Sequence, residues 1–405
     1  MVAGGGRLGS LSNGSSSPAS GSGTAKFSLT DAPSCGDFTS AVVKVIGVEL
    51  IGSGGTSYTL TLSKPLTQDL LQLTNGSTVP LGPIKVPAGT YSQIRLILAP
   101  TKSTDSSPAN YVTTSAGGTA QYALTTPSAQ QSGYKVKGDF VVDPGNTVDV
   151  TLDFNACRSI VTAGKSGKYL LKPVITATPT TTTGIITGIA AAGAVVYAED
   201  ADGHIIKSTV ADSTGSFTLS PLEATDAGYN VVVASPQPPS GTATPVAVAT
   251  PSVVLNVPVT AGQGTVLSDL PAEVDIDGQT DSGNITVKSA DTSVLVLAQE
   301  PVANPSDSSS PYTVTIAESL ASAPTAITTD NVTTYSSTYS LTFSTQAPNV
   351  ATYASAGLSF SADSALPPIT VSGFGSDGST GSAPSTTPYD FTLSGSGDNT
   401  YTLDN

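Results

Sequence analysis

The sequence predicts an all-β protein: serial antiparallel β-sandwich domains, immunoglobulin-like or transthyretin-like, behind a flexible N-terminal tether. Three observations carry that expectation. Apolar residues make up 38% and charged residues only 11% of the chain, with 40 Gly and 29 Pro, a profile that is neither helical nor that of a highly charged disordered chain. Short runs rich in β-branched residues recur between Gly, Pro, Asn and Asp turn signals. At 405 residues, the length suits two to four domains of about 100 to 150 residues each.

The elements follow in order. Residues 1–25, "MVAGGGRLGSLSNGSSSPASGSGTA", have the composition of a flexible linker that cannot bury a core. They also suit the spacer behind a lipid-bearing cysteine, although no such cysteine is present in them. Residues 26–178 form the first patterned block. In "AKFSLTDAPSC" a strand ends at Asp31 and Pro33, because Asp favours turns and Pro lacks the ladder donor. "VVKVIGVEL" and "YSQIRLIL" are strands, and "FVVDPGNTVDVTLDF" reads as a hairpin turning at Pro144-Gly145-Asn146. Val148, Val150, Leu152 and Phe154 should then share a buried face, with Asp149 and Asp153 opposite. Asn75-Gly76 gives a second hairpin signal. Cys35 and Cys157, the only thiols, stand at the two ends of this block, and in an exported protein an isolated pair reads as a disulfide.

"FSLTDAPSC", "LLQLTNGSTVPLG", "VPAGTYSQIRLIL" and "LDFNACRSIV...YLLKPVI", in this order, resemble the bacterial lipoprotein family known as domain of unknown function 4382 over about residues 26–178. The resemblance implies an exported, lipid-anchored envelope protein and transfers no catalytic residue.

Residues 179–183, within "TATPTTTTG", read as a Thr/Pro-rich linker. From 184 to 262 strands recur about every ten residues, with turns at Asp202-Gly203 and Ser213-Thr214-Gly215. The order "AGAVVYAED", "DSTGSFTLSPL", "GYNVVVAS" resembles the carboxypeptidase regulatory-like, transthyretin-type domain, which implies a carbohydrate-related or structural role. Residues 263–405 read as a third, divergent sandwich: "VDIDGQTDSGNITVKSAD" echoes the opening of the second, and "YSLTF", "LSFSAD" and "ITVSGF" look like strands. The long polar "TTDNVTTYSSTYS" reads as a loop insertion.

Chemistry-bearing residues are sparse. His204 is the sole histidine and follows a turn, and no Gly-x-Ser-x-Gly elbow accompanies it, so a Ser-His-Asp triad has no support. Zinc lacks nitrogen and sulfur ligands. Asp200 and Asp202, with Glu199 beside them, and Asp275, Asp277 and Asp281 form oxygen-rich stretches that could hold calcium, but Gln279 and the absence of a following bidentate Glu break the EF-hand spacing. Sugar recognition would fall to the 14 Tyr, since Trp is absent. The Gly clusters lack the lysine of a phosphate loop.

A net charge of −15 excludes a nucleic-acid partner, and no run approaches the roughly 18 apolar residues of a membrane span. The expectation is therefore a non-enzymatic, lipid-tethered protein exported to the bacterial outer membrane, periplasm or cell surface, which binds or scaffolds there. Its partners would be the membrane, through an N-terminal lipid anchor in the native form, and a polysaccharide or surface protein. No cofactor is expected apart from calcium at the acidic loops. A carbohydrate-binding module, a carboxylate-based polysaccharide hydrolase and a self-assembling matrix subunit remain as alternatives.

Overall fold

The computed structural model describes residues 21–31, 38–114, 117–126, 133–136, 140–162, 168–172, 174–236, 249–268, 270–271, 280–289, 294–307, 309–320, 325–329, 332–344, 347–363, 370–375, 389–392 and 399–402. Nearly all of them lie in strands or in the turns between strands. No helix among them is long and apolar enough to cross a membrane.

The first module contains β1 (Ser22–Asp31), β2 (Phe38–Gly52), β3 (Ser57–Asp69), β4 (Val79–Pro87), β5 (Gly89–Leu98), β6 (Tyr111–Thr114), β7 (Tyr122–Thr125), β8 (Tyr134–Val136), β9 (Phe140–Val142), β10 (Thr147–Asn155), β11 (Ile160–Thr162), β12 (Tyr169–Leu171) and β13 (Val174–Pro179). One sheet has the order β13-β10-β1-β4; the facing sheet runs β11-β12-β7-β6-β2-β5-β8, with β3 on β2 and β9 on β5. Their inward faces enclose a continuous core that includes Phe27, Leu29, Val43, Val48, Leu96, Leu152 and Phe154. Phe27 of one sheet meets Phe140 of the other edge-on at 6.3 Å. As the alternation predicts, Val148, Val150, Leu152 and Phe154 are buried together.

Two turns expected to close hairpins instead carry the chain from one sheet to the other. β9 pairs with β5 while β10 pairs with β1 and β13, so Pro144-Gly145-Asn146 links facing sheets. Likewise β3 pairs with β2, and β4 with β1, so the Asn75-Gly76 turn crosses the sandwich. Both flanking runs of each crossing have an apolar face, and sequence alternation alone cannot say whether two such faces lie side by side or opposite.

The second module holds β14 (Thr183–Ile189), β15 (Val195–Glu199), β16 (Ile205–Val210), β17 (Ser216–Glu223), β18 (Thr225–Ala234), β19 (Ser252–Val259) and β20 (Gly264–Leu267). The remainder supplies β21 (Thr280–Ser289), β22 (Val294–Val302), β23 (Tyr312–Leu320), β24 (Thr325–Thr329), β25 (Val332–Ser344), β26 (Asn349–Thr352), β27 (Ser361–Ala362), β28 (Thr370–Gly375), β29 (Tyr389–Thr392) and β30 (Asn399–Thr402). Their sheets are β17-β14-β20, the six-stranded β16-β15-β18-β19-β26-β27, then β24-β25-β21-β30 and β23-β22-β28-β29.

The six-stranded sheet is covered on both faces. Val196, Ala198, Val231, Val233 and Val254 pack toward β14 and β17. Val195, Tyr197, Val232, Val253 and Leu255 pack with Ala298, Val302, Val314 and Ile316 of β22 and β23. This is why "AVVYAE", "NVVVA" and "SVVLNV" are apolar without alternation: each side chain, whichever face it takes, meets another sheet.

Several expected boundaries move. β1 begins at Ser22, and Ala25 is fully buried, so the tether cannot extend to residue 25. Small residues serve the packing there, because a Cβ on Gly23 would stand 2.5 Å from the Asp143 carbonyl oxygen. Residues 179–183 are not a free linker. β13 ends at Pro179, a single 3-10 turn covers Thr180–Thr182, and β14 begins at the buried Thr183. Pairing also crosses the expected boundary at 262: β20 lies parallel to β14, and β26 lies parallel to β19. The sheets are thus mixed, not purely antiparallel, with β1 and β10 also parallel. Finally, "TTDNVTTYSSTYS" contributes the hairpin strands β24 and β25, not a loop insertion. Thr, Tyr and Val favour an extended backbone even where the run is polar.

Candidate functional site

The acidic turn between β15 and β16 brings together three of the residues singled out by sequence. Asp200, Asp202 and His204 present ligand atoms within 4.8 Å of one another. Asp200 organises the turn: its Oδ1 accepts the backbone N–H groups of Asp202 and His204, each at 3.0 Å, and its Oδ2 lies 2.8 Å from His204 Nδ1. These are the bonds of an Asx turn, and they account for the carboxylate without an ion. Of the other calcium candidates, Asp275 and Asp277 lie outside the described residues, and Asp281 falls on β21. His204 is a turn residue in contact with an aspartate, and no described serine accompanies the pair in a hydrogen-bonded triad.

The same turn docks onto the C-terminal sheet. Thr315 Oγ1 donates to the Gly203 carbonyl at 2.7 Å, and Thr313 N–H donates to the Ala201 carbonyl at 3.3 Å. Gly203 (φ +78°) is required here, since a Cβ would stand 2.9 Å from the Thr313 carbonyl oxygen. Beneath the turn, the fully buried Glu199 accepts from Thr315 N–H at 2.9 Å, while its Oε1 has no hydrogen-bond partner. Burial pushes the Glu199 carboxyl well above the usual carboxylate range, partly offset by the Thr315 hydrogen bond and reinforced by Asp200 and Glu318.

A second joint locks the first two modules. Asn75 and Gly76 both adopt positive φ, 58° and 71°. This puts the tip of their turn against the second module, where Asn75 N–H donates to Thr209 Oγ1 at 2.9 Å and Asn75 Nδ2 to the Ser216 carbonyl at 3.1 Å. Beside it, Lys207 Nζ of β16 donates to Asp153 Oδ2 of β10 at 2.7 Å. Asp153 does lie opposite the buried face of β10, as alternation predicts, but that face is covered by the next module.

Cys35 lies outside the described residues, and Cys157 falls in the helical turn Ala156–Ser159. The backbone on either side of them is described. β1 and β10 run parallel with Asp31 opposite Phe154, so both strands leave the sheet at the same end. Asp31 is buried there, and its Oδ1 accepts from Ala156 N–H at 2.9 Å.

Sequence reasoning gave no role to Lys207, to Asn75 beyond its turn, to Glu199 beyond a possible calcium ligand, or to Glu300. The one available signal was position: Glu199 and Glu300 each sit within an apolar strand run, where an exposed carboxylate is not expected.

Residues 22–173 match the family model described as "Domain of unknown function (DUF4382)". The match covers less than half of the chain and coincides with the first module up to β12. No curated protein matches. Among solved structures, the chain is similar to "The Bacillus anthracis TIE protein", with 10% identity and a TM-score of 0.16, covering 95% of this chain and 51% of that one. It is also similar to "Structure of the Streptococcal ancillary pilin", with 11% identity and a TM-score of 0.14, covering 94% and 99% respectively.

Proposed function

We propose that this chain is a non-enzymatic, exported envelope protein, held to a bacterial membrane by an N-terminal lipid anchor, whose β-modules form a rigid scaffold that displays a binding surface. The supporting observation is the way the modules interlock. The Asn75-Gly76 turn and the Lys207–Asp153 pair fix the first module to the second, and an apolar core shared by two sheets fixes the second to the third. A chain that only needed reach would be served by flexible joints. Buried, specific joints keep a distance and an orientation. Within this reading residues 184–262 are a carboxypeptidase regulatory-like module whose sheets are completed by β20 and β26.

The test is expression from the native gene in a bacterial host, followed by membrane fractionation, lipid labelling and small-angle scattering of the released protein. Recovery in the membrane fraction with label, and a scattering profile matching one rigid body, is the expected result. A cytosolic, unlabelled product, or a profile requiring independently moving modules, would sink the reading.

One observation favours carbohydrate as what the scaffold displays. Tyr122 on β7 is 36% exposed and meets Tyr169 edge-on at 5.7 Å, and Tyr169 in turn meets Phe38 at 5.8 Å. This places three aromatic rings, from β12, β7 and β2, together on one sheet, a composition suited to sugar faces. Retention on a polysaccharide panel that is lost in Tyr122→Ala would support this reading, and equal retention by the variant would remove it.

A further inference from the structure

The C-terminal part of the chain has an unusual charge distribution. After Lys288 the sequence contains no Lys, Arg or His. A carboxylate buried between β22 and its neighbours therefore has no basic side chain from residues 289–405 to pair with. Glu300 is such a group.

Glu300 is 3% exposed, and its Oε1 has no hydrogen-bond partner. Its ladder partner Val314 is fully buried in the apolar core shared with the six-stranded sheet. The charge that acts on it is Asp363, which follows β27 and ties the two sheets together near the end of β22: Asp363 N–H donates to the Pro348 carbonyl at 3.0 Å, and Asp363 Oδ2 accepts from Ala303 N–H at 3.2 Å, three residues after Glu300. Among the described side chains, the other titratable groups on the surrounding elements are Tyr197 and Glu199 of β15, Asp200, Asp202 and His204 of the docked turn, Asp226 and Tyr229 of β18, and Tyr312 and Glu318 of β23. Lys207, the cation of β16, is committed to Asp153 on the far side.

We propose that this joint is a proton-operated latch, shut while the Glu300 carboxyl carries its proton and loosened when that carboxyl ionises near Asp363. An ionised Glu300 would place a second negative charge near Asp363, with one oxygen unpaired among apolar side chains, and the two sheets can relieve this only by separating or admitting water. In keeping with this, burial, aided by the Asp363 charge, raises the Glu300 carboxyl from 4.5 to about 8.

The sign follows from the raised value. Below the ordinary value of 4.5 the group is protonated whether the joint is shut or open, and the latch has its full strength. As pH rises toward about 8 the open form releases the proton and the shut form keeps it, so the shut form loses ground by up to about tenfold per pH unit. Above that value no further loss occurs.

The experiment is backbone hydrogen exchange of the full chain from pH 5 to 8.5, corrected for the intrinsic exchange rate, with the β22 and β23 amides compared with those of β2 and β5. The expected result is a protection ratio that falls with pH in the wild type, falls less steeply in Glu300→Gln, where only the contribution of Glu199 remains, and completes its fall at lower pH in Asp363→Asn. A constant wild-type ratio, or the same fall in Glu300→Gln, overturns the proposal. Millimolar calcium restoring protection at pH 8.5 in the wild type but not in Glu300→Gln would also overturn it, replacing the proton with a cation. Should Glu300→Gln fail to fold, the wild-type and Asp363→Asn profiles decide between the outcomes.

Discussion

Lys207 and Asp153 meet at 2.7 Å across the seam between the first two modules, with side chains 3% and 15% exposed. Asp153 Oδ1 is buried without a further partner. A pair taken this far out of water adds little net stability, but either partner left alone is costly. Lys207→Ala is therefore expected to destabilise the chain by about 3–5 kcal/mol, as measured by urea denaturation. The double variant with Asp153→Leu and Lys207→Met should recover most of the loss. A single variant within about 0.5 kcal/mol of wild type would show that the seam is open to water in solution.

The turn beside that pair gives an independent measure of the joint. In Gly76→Ala the new Cβ would stand 2.8 Å from Thr218 Cγ2 at a φ of +71°, combining backbone strain with a clash against the second module. Gly145→Ala carries a similar φ of +75° with nothing within 4 Å, so it bears the strain alone. The expected losses are about 1 kcal/mol for Gly145→Ala and about 2–4 kcal/mol for Gly76→Ala, read from denaturation midpoints. Equal losses would mean that the turn does not dock.

These two sites show what the sequence could and could not disclose. Asn75-Gly76 announced a turn, and β10 announced a buried Val-Val-Leu-Phe face, because both are local consequences of φ preference and of period-two alternation. That Gly76 presses on Thr218, 142 positions away, leaves no local trace. The all-β class and most strands were legible for the same local reasons. The sheet to which each strand belongs was not, since β9 and β10 are both apolar on one side whether they pair or face. The continuous apolar runs of β15, β18 and β19 follow from burial on two faces, but nothing local in them says which sheet covers the second face. At the acidic turn, Asp200 was recognisable as a potential oxygen ligand from its type alone, while its use in holding Asp202 and His204 required the geometry.

That use gives the third prediction. Asp200→Ala removes two backbone hydrogen bonds and the His204 contact from the turn that docks on β23, and is expected to cost about 1–2 kcal/mol whether or not calcium is present. Thermal unfolding in calcium and in chelator would check it. A midpoint that rises with calcium in the wild type and not in Asp200→Ala would instead make the turn a cation site.

The parallel register that sets Asp31 opposite Phe154 brings the exits of β1 and β10 together, four residues before Cys35 and three before Cys157. Peptide mapping of oxidised protein without reductant should recover one linked pair containing both cysteines. Reduction should lower stability by about 4–5 kcal/mol, the value for a closed loop of roughly 120 residues, less any strain. Two alkylatable thiols in material matured outside the cytoplasm would refute the bond.

Glu199 supplies the last prediction. Its carboxyl accepts from Thr315 N–H through Oε2, while Oε1 is buried and unpartnered, and burial raises its pKa. A raised carboxyl weakens the folded state as pH climbs, because the unfolded chain releases its proton from the ordinary value of 4.5 upward and the folded chain does not. Gln in its place keeps an oxygen to accept from Thr315 and has no proton to lose. Glu199→Gln should therefore match the wild type most closely near pH 4 and gain on it steadily through neutrality, by up to about tenfold in the folding constant per pH unit. Urea titrations at several pH values would show the two curves diverging. Parallel curves would mean that Glu199 is ionised in the folded protein and that its second oxygen has found a partner in solution.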